Sequence, residues 1–465
     1  MQYSSTRDAH HTVSFEKAFL SGLAPDGGLY LPHSWPQVPL DIWQSWRNAP
    51  YETLAFNILQ PFVAGSLNTQ ELRDILRRAY KSSFHHAAHA PLRQLHHNMW
   101  LLELFHGPTL AFKDFGLQFL GQCFAHFLDR AKKKINIIGA TSGDTGSAAI
   151  AGCRGIDAIN IFILHPHERI SPIQRRQMTC VDDANVFNLA IQGNFDDCQA
   201  HVKAMFGDAK FRETHALSAV NSINWGRIAE QIVYYAYAAL RLGAPDHAVD
   251  FVVPSGNFGN VFACYCLKCM GLPIGKMVLA TNQNNILHRF VTENSMQSKP
   301  VIPSIAPSMD IQTSSNFERL FACYADHDDR IIRQAYAELE GSGNLPVAPD
   351  IWQNICQDFR SGCVDDDGML NEIGRIHKEC DMIIDPHTAI GTQVARHYSS
   401  GDNPCVVLAT AHAAKFPDAI ARALNITPEL PSHQHDLLTR EEHFDILPND
   451  LAAIQSYIAA RALKV

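Results

Sequence analysis

No stretch of this 465-residue chain is apolar for long enough to span a bilayer. The opening residues, MQYSSTRDAHH, lack the charged segment followed by an apolar one that marks a secretory signal. Positive charge is also scarce: 38 Lys and Arg stand against 47 Asp and Glu, a net charge of −9, which excludes the basic footprint of a nucleic-acid or anionic-membrane binder. The short runs Lys132-Lys133-Lys134 and Arg175-Arg176 read as solvated helix ends. The 12 cysteines are scattered, which points to a reducing, cytoplasmic setting. The tightest group, Cys264, Cys266 and Cys269 in CYCLKC, has no second C-x-x-C knuckle to pair with and sits in an apolar run, so it reads as buried helix and not as a metal centre. Low-complexity tracts are missing too, with Gly at 27 and Pro at 24.

What is present is core material. Hydrophobic residues make up 46% of the chain and charged residues 18%, enough for two or three globular domains at this length. Residues 1–95 form a separate N-terminal region, aromatic and proline-rich at first and then helical, since Leu72, Ile75, Leu76 and Ala79 recur at helix spacing. Three later segments repeat one unit: apolar strand, small-residue loop, helix. The first predicts strand 135–138, a loop to Gly146 and a helix from Ser147; the second, strand 251–253, a loop to Asn260 and a helix from Val261. The third predicts strand 406–408, a loop to Phe416 and a helix from Pro417. Continuous β-branched runs followed by helices imply parallel strands covered on both faces, hence an α/β architecture with a smaller domain over 96–215 and a larger one over 216–465. Ligands of such sheets lie beyond the carboxyl ends of the strands, where all three loops fall.

A small-residue loop entering a helix offers unpaired N–H groups and the positive end of the helix dipole, which suits anions. None of these loops matches a P-loop or a dinucleotide fingerprint. Asp114-Phe115-Gly116 spells the kinase DFG, but no H-R-D precedes it. Lys113 lies between Phe112 and Asp114-Phe115 at the head of a helix rich in Phe and Leu, so it is expected to be partly desolvated, with its amine shifted towards the neutral, nucleophilic form. A nucleophilic lysine beside phosphate-type loops in an α/β protein suggests pyridoxal phosphate.

The motifs LAPDGGLYLP, ELFHGPTLAFKDFGLQF, GATSGDTGSAA, NSINWGRIAEQ, PSGNFGN, DPHTAIG and LATAHAAKFPDA occur in this order over nearly the whole length. In them the chain resembles the threonine synthase family of fold-type-II pyridoxal-phosphate enzymes. It departs from the family pattern at Ala413, where a proline is usual. The resemblance implies two open, twisted, mostly parallel sheet domains of the tryptophan synthase β-like type, with a mainly helical N-terminal region. It implies that Lys113 carries the cofactor as a Schiff base, that Gly256, Asn257, Phe258 and Asn260 surround the cofactor phosphate, and that Thr410 bonds the ring nitrogen. Ser142, Asp144 and Thr145 are implied to receive the substrate carboxylate, and Asn221, Ser222, Asn224 and Arg227 its phosphate. The implied reaction converts O-phospho-L-homoserine and water into L-threonine and phosphate, in a monomer or homodimer. A fold-type-II dehydratase, a phosphohomoserine lyase and a non-catalytic cofactor-binding protein are the alternatives.

Overall fold

The structure, a computed structural model, describes residues 1–464 apart from 82 and 400. Two parallel sheets organise it. In the larger, the strands Phe359–Cys363, Ile274–Thr281, Val249–Pro254, Cys405–Ala409, Met99–Glu103 and Leu92–His96 lie side by side in that order, parallel except for the antiparallel last pair. In the smaller, Asp445–Leu447, Val186–Ile191, Ile159–Pro166, Ile135–Ala140 and Leu217–Ser218 are all parallel. The central strands Val249–Pro254 and Ile159–Pro166 are buried at every position, as strands covered by helices on both faces must be.

Neither sheet respects the boundaries expected from sequence order. Strands 92–96 and 99–103 join the larger sheet, although they precede the smaller sheet's first strand, and strand 445–447 returns from the C-terminal end to close the smaller sheet. The cuts expected at 95/96 and 215/216 therefore do not coincide with the sheets. The N-terminal region also holds more than helices. Strands Asp8–Ser14, Gln2–Ser5 and Tyr30–Pro32 form an antiparallel sheet, followed by helices Tyr51–Val63 and Thr69–Tyr80. The second starts where Asn68 and Glu71 complete a capping box.

Close packing of three helices builds the site. Helix Lys113–Ala131 buries Phe115, Leu117, Phe119, Leu120, Phe124 and Phe127. It meets helix Asp144–Cys153 through glycines: a Cβ on Gly121 would fall 1.8 Å from the Gly152 carbonyl oxygen, and one on Gly152 would fall 2.4 Å from that of Leu117. On its other side Gly116 lies against helix Trp225–Arg241, where a Cβ would be 3.3 Å from Arg227 Cα. The small residues let these backbones approach, which brings the N-termini carrying Lys113, Asp144 and Arg227 into one region.

Candidate active site

The strand Cys405–Ala409 fixes the lysine. Beyond its end the chain pairs with the segment entering the lysine helix: the N–H of Leu104 donates to Ala409 O at 3.0 Å, that of Phe112 to Thr410 O at 2.9 Å, and that of His412 to Leu110 O at 3.0 Å. Lys113 and Thr410 are thereby held together, at the carboxyl edge of the sheet. Inside the bend, Asp114 accepts from the Thr109 N–H at 2.9 Å and from its hydroxyl at 2.6 Å. Burial, only partly offset by these donors, pushes its carboxyl up to about 6.

Lys113 Nζ donates to Asp144 Oδ2 at 3.3 Å and lies 5.0 Å from the centre of the Phe112 ring. Its pKa is lowered by burial, opposed by Asp144 and reinforced by Lys415 and Arg227. The desolvation read from its apolar neighbours is thus present. Asp144 is itself crowded: Lys415 Nζ sits 2.8 Å from Oδ1, Gln174 Nε2 donates to Oδ1 at 2.9 Å, and Ser308 Oγ donates to Oδ2 at 3.0 Å. Burial alone would raise its carboxyl, but Lys415 and then Lys113 hold it well below the ordinary value.

The loop that begins at Thr141 turns earlier than expected. Gly143 takes φ +140°, and Thr141 Oγ1 accepts from the N–H groups of Gly143 and Gly146, so the helix begins at Asp144 rather than at Ser147. The N–H groups of Ser142, Asp144 and Thr145 find no protein acceptor among the described residues. Ser142 and Thr145 are half-buried.

The second loop is built the same way. Phe258 takes the left-handed conformation at φ 63° and starts the next helix at Gly259, two residues before the expected Val261. Asn260 holds the loop from within, accepting from Ser255 Oγ at 2.7 Å and from the Val261 N–H at 3.0 Å while donating to Pro254 O at 3.0 Å. Ser314 Oγ donates to Gly256 O, Ser315 Oγ to Asn257 Oδ1, and the Asn316 N–H to Asn257 O. The carbonyls and side chains are therefore committed, while the N–H groups of residues 256–260 meet no protein acceptor among the described residues. Such a row at a helix N-terminus is the fit expected for a phosphate. The segment around Ser308 joins the loops: Ser308 reaches Asp144, and the next turn lies against Gly256, where a Cβ would be 3.0 Å from Ile311 Cδ1. Thr410 is buried, and its hydroxyl has no protein partner among the described residues, as a donor to a ring nitrogen requires.

Of the four residues expected at the substrate phosphate, Arg227 stands out. It is 4% exposed, its Nε and Nη1 have no acceptor, and burial lowers its pKa to about 10. Asn224 acts on the backbone instead. Its Oδ1 accepts from the Gly226 N–H and its Nδ2 donates to Phe19 O, so it caps the Arg227 helix and positions that residue. Asn221 is exposed and Ser222 half-buried, with Ser222 O accepting from Asn316 Nδ2 at 3.2 Å. Lys415, Gln174 and Ser308 were not among the expected residues, and neither was the Asp385–His387 pair, where Nδ1 lies 2.7 Å from Oδ2. Lys415 lies in a motif already singled out and had a signal, a lysine among Ala and Phe. Ser308 and Gln174 had none. The cysteine group falls in helix Gly259–Cys269, with Cys264 and Cys266 buried, and no set of three possible metal ligands occurs among the described residues.

The chain is similar to known proteins along nearly its whole length. The family profile "Threonine synthase N terminus" matches residues 2–80, "Pyridoxal-phosphate dependent enzyme" 85–339, and "Threonine synthase, C-terminal" 388–458. The chain is 48% identical to the threonine synthase of Pseudomonas aeruginosa, covering 99% of this chain and 98% of that one. It is 42% identical to that of Saccharomyces cerevisiae, covering 91% and 89%. The crystal structure of pyridoxal-phosphate-bound threonine synthase from Brucella melitensis superposes with a TM-score of 0.97 at 44% identity, over 99% of both chains.

Proposed function

The chain belongs to the threonine synthase family of pyridoxal-phosphate enzymes, and on that premise we infer which of its groups perform the conversion of O-phospho-L-homoserine and water into L-threonine and phosphate. The observation that carries this reading is a buried amine, Lys113, set among N–H-rich helix starts and the unpaired Arg227 guanidinium. When bound, pyridoxal phosphate supplies an electron sink conjugated to the substrate's α-carbon.

Lys113 is the residue that holds the cofactor. When free, its amine would be placed to take the α-proton; burial favours the neutral form this step needs. Gly256, Asn257, Phe258 and Asn260 would hold the cofactor phosphate through main-chain N–H groups, and Thr410 would donate to the ring nitrogen. A neutral hydroxyl there would suit an unprotonated nitrogen, where a carboxylate would suit a protonated one. Ser142, Asp144 and Thr145 receive the substrate carboxylate through their N–H groups. Arg227 takes the substrate phosphate, with Ser222 and Asn221 at its edge and Asn224 holding the helix start. Burial of Asp144, Arg227, Thr410 and Lys415 limits the water that could protonate a carbanion too early. No helix among the described residues is long and apolar enough to cross a membrane. A cytoplasmic, monomeric or homodimeric enzyme without nucleic-acid partners completes the proposal.

The test is to incubate the purified protein with O-phosphohomoserine and follow phosphate, threonine and ammonia together. Phosphate with equimolar threonine is expected; ammonia with a 2-oxo acid and no threonine would overturn the reading in favour of a lyase.

A further inference from the structure

Two lysines share one carboxylate. Lys415 is fully buried; its Nζ donates to Thr109 O at 2.6 Å and lies 2.8 Å from Asp144 Oδ1, while Lys113 Nζ holds the other oxygen at 3.3 Å. The shorter contact belongs to the lysine that does not head the helix. A purely structural ion pair would match one cation to one anion, because an unbalanced buried charge is costly. Here both lysines contact Asp144, one on each oxygen, while Asp114 is engaged by Thr109 and Asp385 by His387 and Thr388.

The setting of Lys415 is rigid. His412 Nδ1 accepts from the Ala414 N–H at 3.2 Å and caps the turn Ala413–Lys415, and Ser171 Oγ donates to Lys415 O at 3.3 Å. The side chain is thereby aimed at Thr109 and Asp144 with no solvent exposure.

We propose that Lys415 is a positioning residue: by claiming one oxygen of Asp144 it leaves the Lys113 amine weakly held on the other, free to give up its proton, capture the cofactor's aldehyde and later take the substrate's α-proton. Without Lys415, Asp144 would be a full counter-charge to Lys113 and would lock it as an ammonium. Capture joins the neutral amine to the aldehyde carbon, forms a C=N bond and releases one water, so it needs the unprotonated amine. The groups that face this titration are Asp144, Lys415 and Arg227, with Gln174, Ser308 and His387 acting on Asp144 and Asp114 adjoining Lys113. This inference rests on Lys113 being the cofactor-bearing amine.

The experiment strips the cofactor from the full chain and measures, by absorbance, how fast added pyridoxal phosphate is recaptured as a function of pH. Both amines contact the one carboxylate, at 2.8 and 3.3 Å, so in Lys415→Gln the midpoint of the pH–rate profile is expected to rise by about one to two pH units. At neutral pH capture then slows about 10- to 100-fold. Lys415→Arg keeps the charge and should keep the midpoint. An unmoved midpoint in a folded Lys415→Gln, or an equal displacement in Lys415→Arg, overturns the proposal. If Lys415→Gln does not fold, Asp144→Asn and the charge-neutral pair Asp144→Asn/Lys415→Gln replace it: Asp144→Asn should lower the midpoint, and adding Lys415→Gln, with no carboxylate left to claim, should not restore it; an unmoved midpoint in Asp144→Asn, or a rise of about one to two units on adding Lys415→Gln, refutes the idea. Lys113→Ala runs beside them: capture with the same absorbance in that variant would refute the reading of Lys113 itself, a failure distinct from that of Lys415.

Discussion

Arg227→Met separates stability from binding. The guanidinium is buried with two nitrogens unpaired, and its pKa falls from 12.5 to about 10 because burial disfavours its charge. For a base, a depressed folded-state value means the charged form destabilises the fold at every pH below about 10, so the cost is present throughout the physiological range. At about 1.4 kcal/mol per pH unit that cost is about 3 kcal/mol. Methionine of similar length removes the charge without opening a large cavity, so the ligand-free variant should be more stable by about 1–3 kcal/mol after imperfect packing is allowed for. On the proposed assignment the same change removes a forked donor to the substrate phosphate, an interaction of about 2–4 kcal/mol, and should weaken phosphohomoserine binding roughly 30- to 1000-fold. Thermal melts with and without inorganic phosphate measure both effects: the wild type should gain Tm from phosphate, and Arg227→Met should start higher and gain little. Cofactor retention should change less than substrate binding. A variant that melts lower, yet is still raised by phosphate as the wild type is, would refute the argument.

Glu230, fully buried on the same helix, accepts from Tyr80 Oη at 2.7 Å, and burial pushes its carboxyl from 4.5 to about 8. The folded chain keeps a proton that the unfolded chain sheds near 4.5, so wild-type stability declines as pH rises from about 4.5 to 8; Glu230→Gln should cancel a slope worth at most about 4–5 kcal/mol. Denaturant titrations at pH 5.5 and 8.5 check this, and an equal difference between variant and wild type at both would contradict it. Gly121→Ala forces a Cβ into the Gly152 carbonyl and should cost about 3 kcal/mol or more, with turnover falling because the helices that carry Lys113 and Asp144 part; a variant that melts normally would refute the close-approach argument. Thr410→Val keeps shape but loses the hydroxyl. It should retain cofactor absorbance while turnover drops about 10- to 100-fold, and wild-type turnover would remove Thr410 from its role.

The features legible in the sequence were local ones. Lys113 was legible because a lysine among phenylalanines contradicts its own solvation preference. The loops at 141–146 and 254–260 were legible because small residues between a β-branched run and a helix have few other uses. Their helix starts were misplaced by two or three residues, since Gly143 and Phe258 turn the chain through positive φ and only Gly143 announces it. Contacts between distant segments were not legible. Nothing in the local pattern of Leu92–His96 or Met99–Glu103 distinguishes an edge of the larger sheet from the start of the smaller, and Ser308 meets Asp144 only because an irregular segment folds across both loops.

The electrostatics of the site join these pieces to function. Arg227 is a buried positive charge in excess, with no ion-pair partner among the described residues, and would be a liability in a protein that bound nothing anionic. Cofactor and substrate each bring a phosphate, and the substrate also brings a carboxylate. Ligands that neutralise the excess bind the folded state and not the unfolded one, so each should raise stability by mass action as it completes the site. The order of binding then has a physical basis. While Arg227 stays unpaired, its charge adds to the effect of Lys415 in lowering the Lys113 pKa, so the free enzyme is in the state best suited to capture its cofactor. On the proposed assignment, pairing of Arg227 with the substrate phosphate would relieve that part of the pressure on Lys113 and make its amine a stronger base at the stage when a proton must leave carbon.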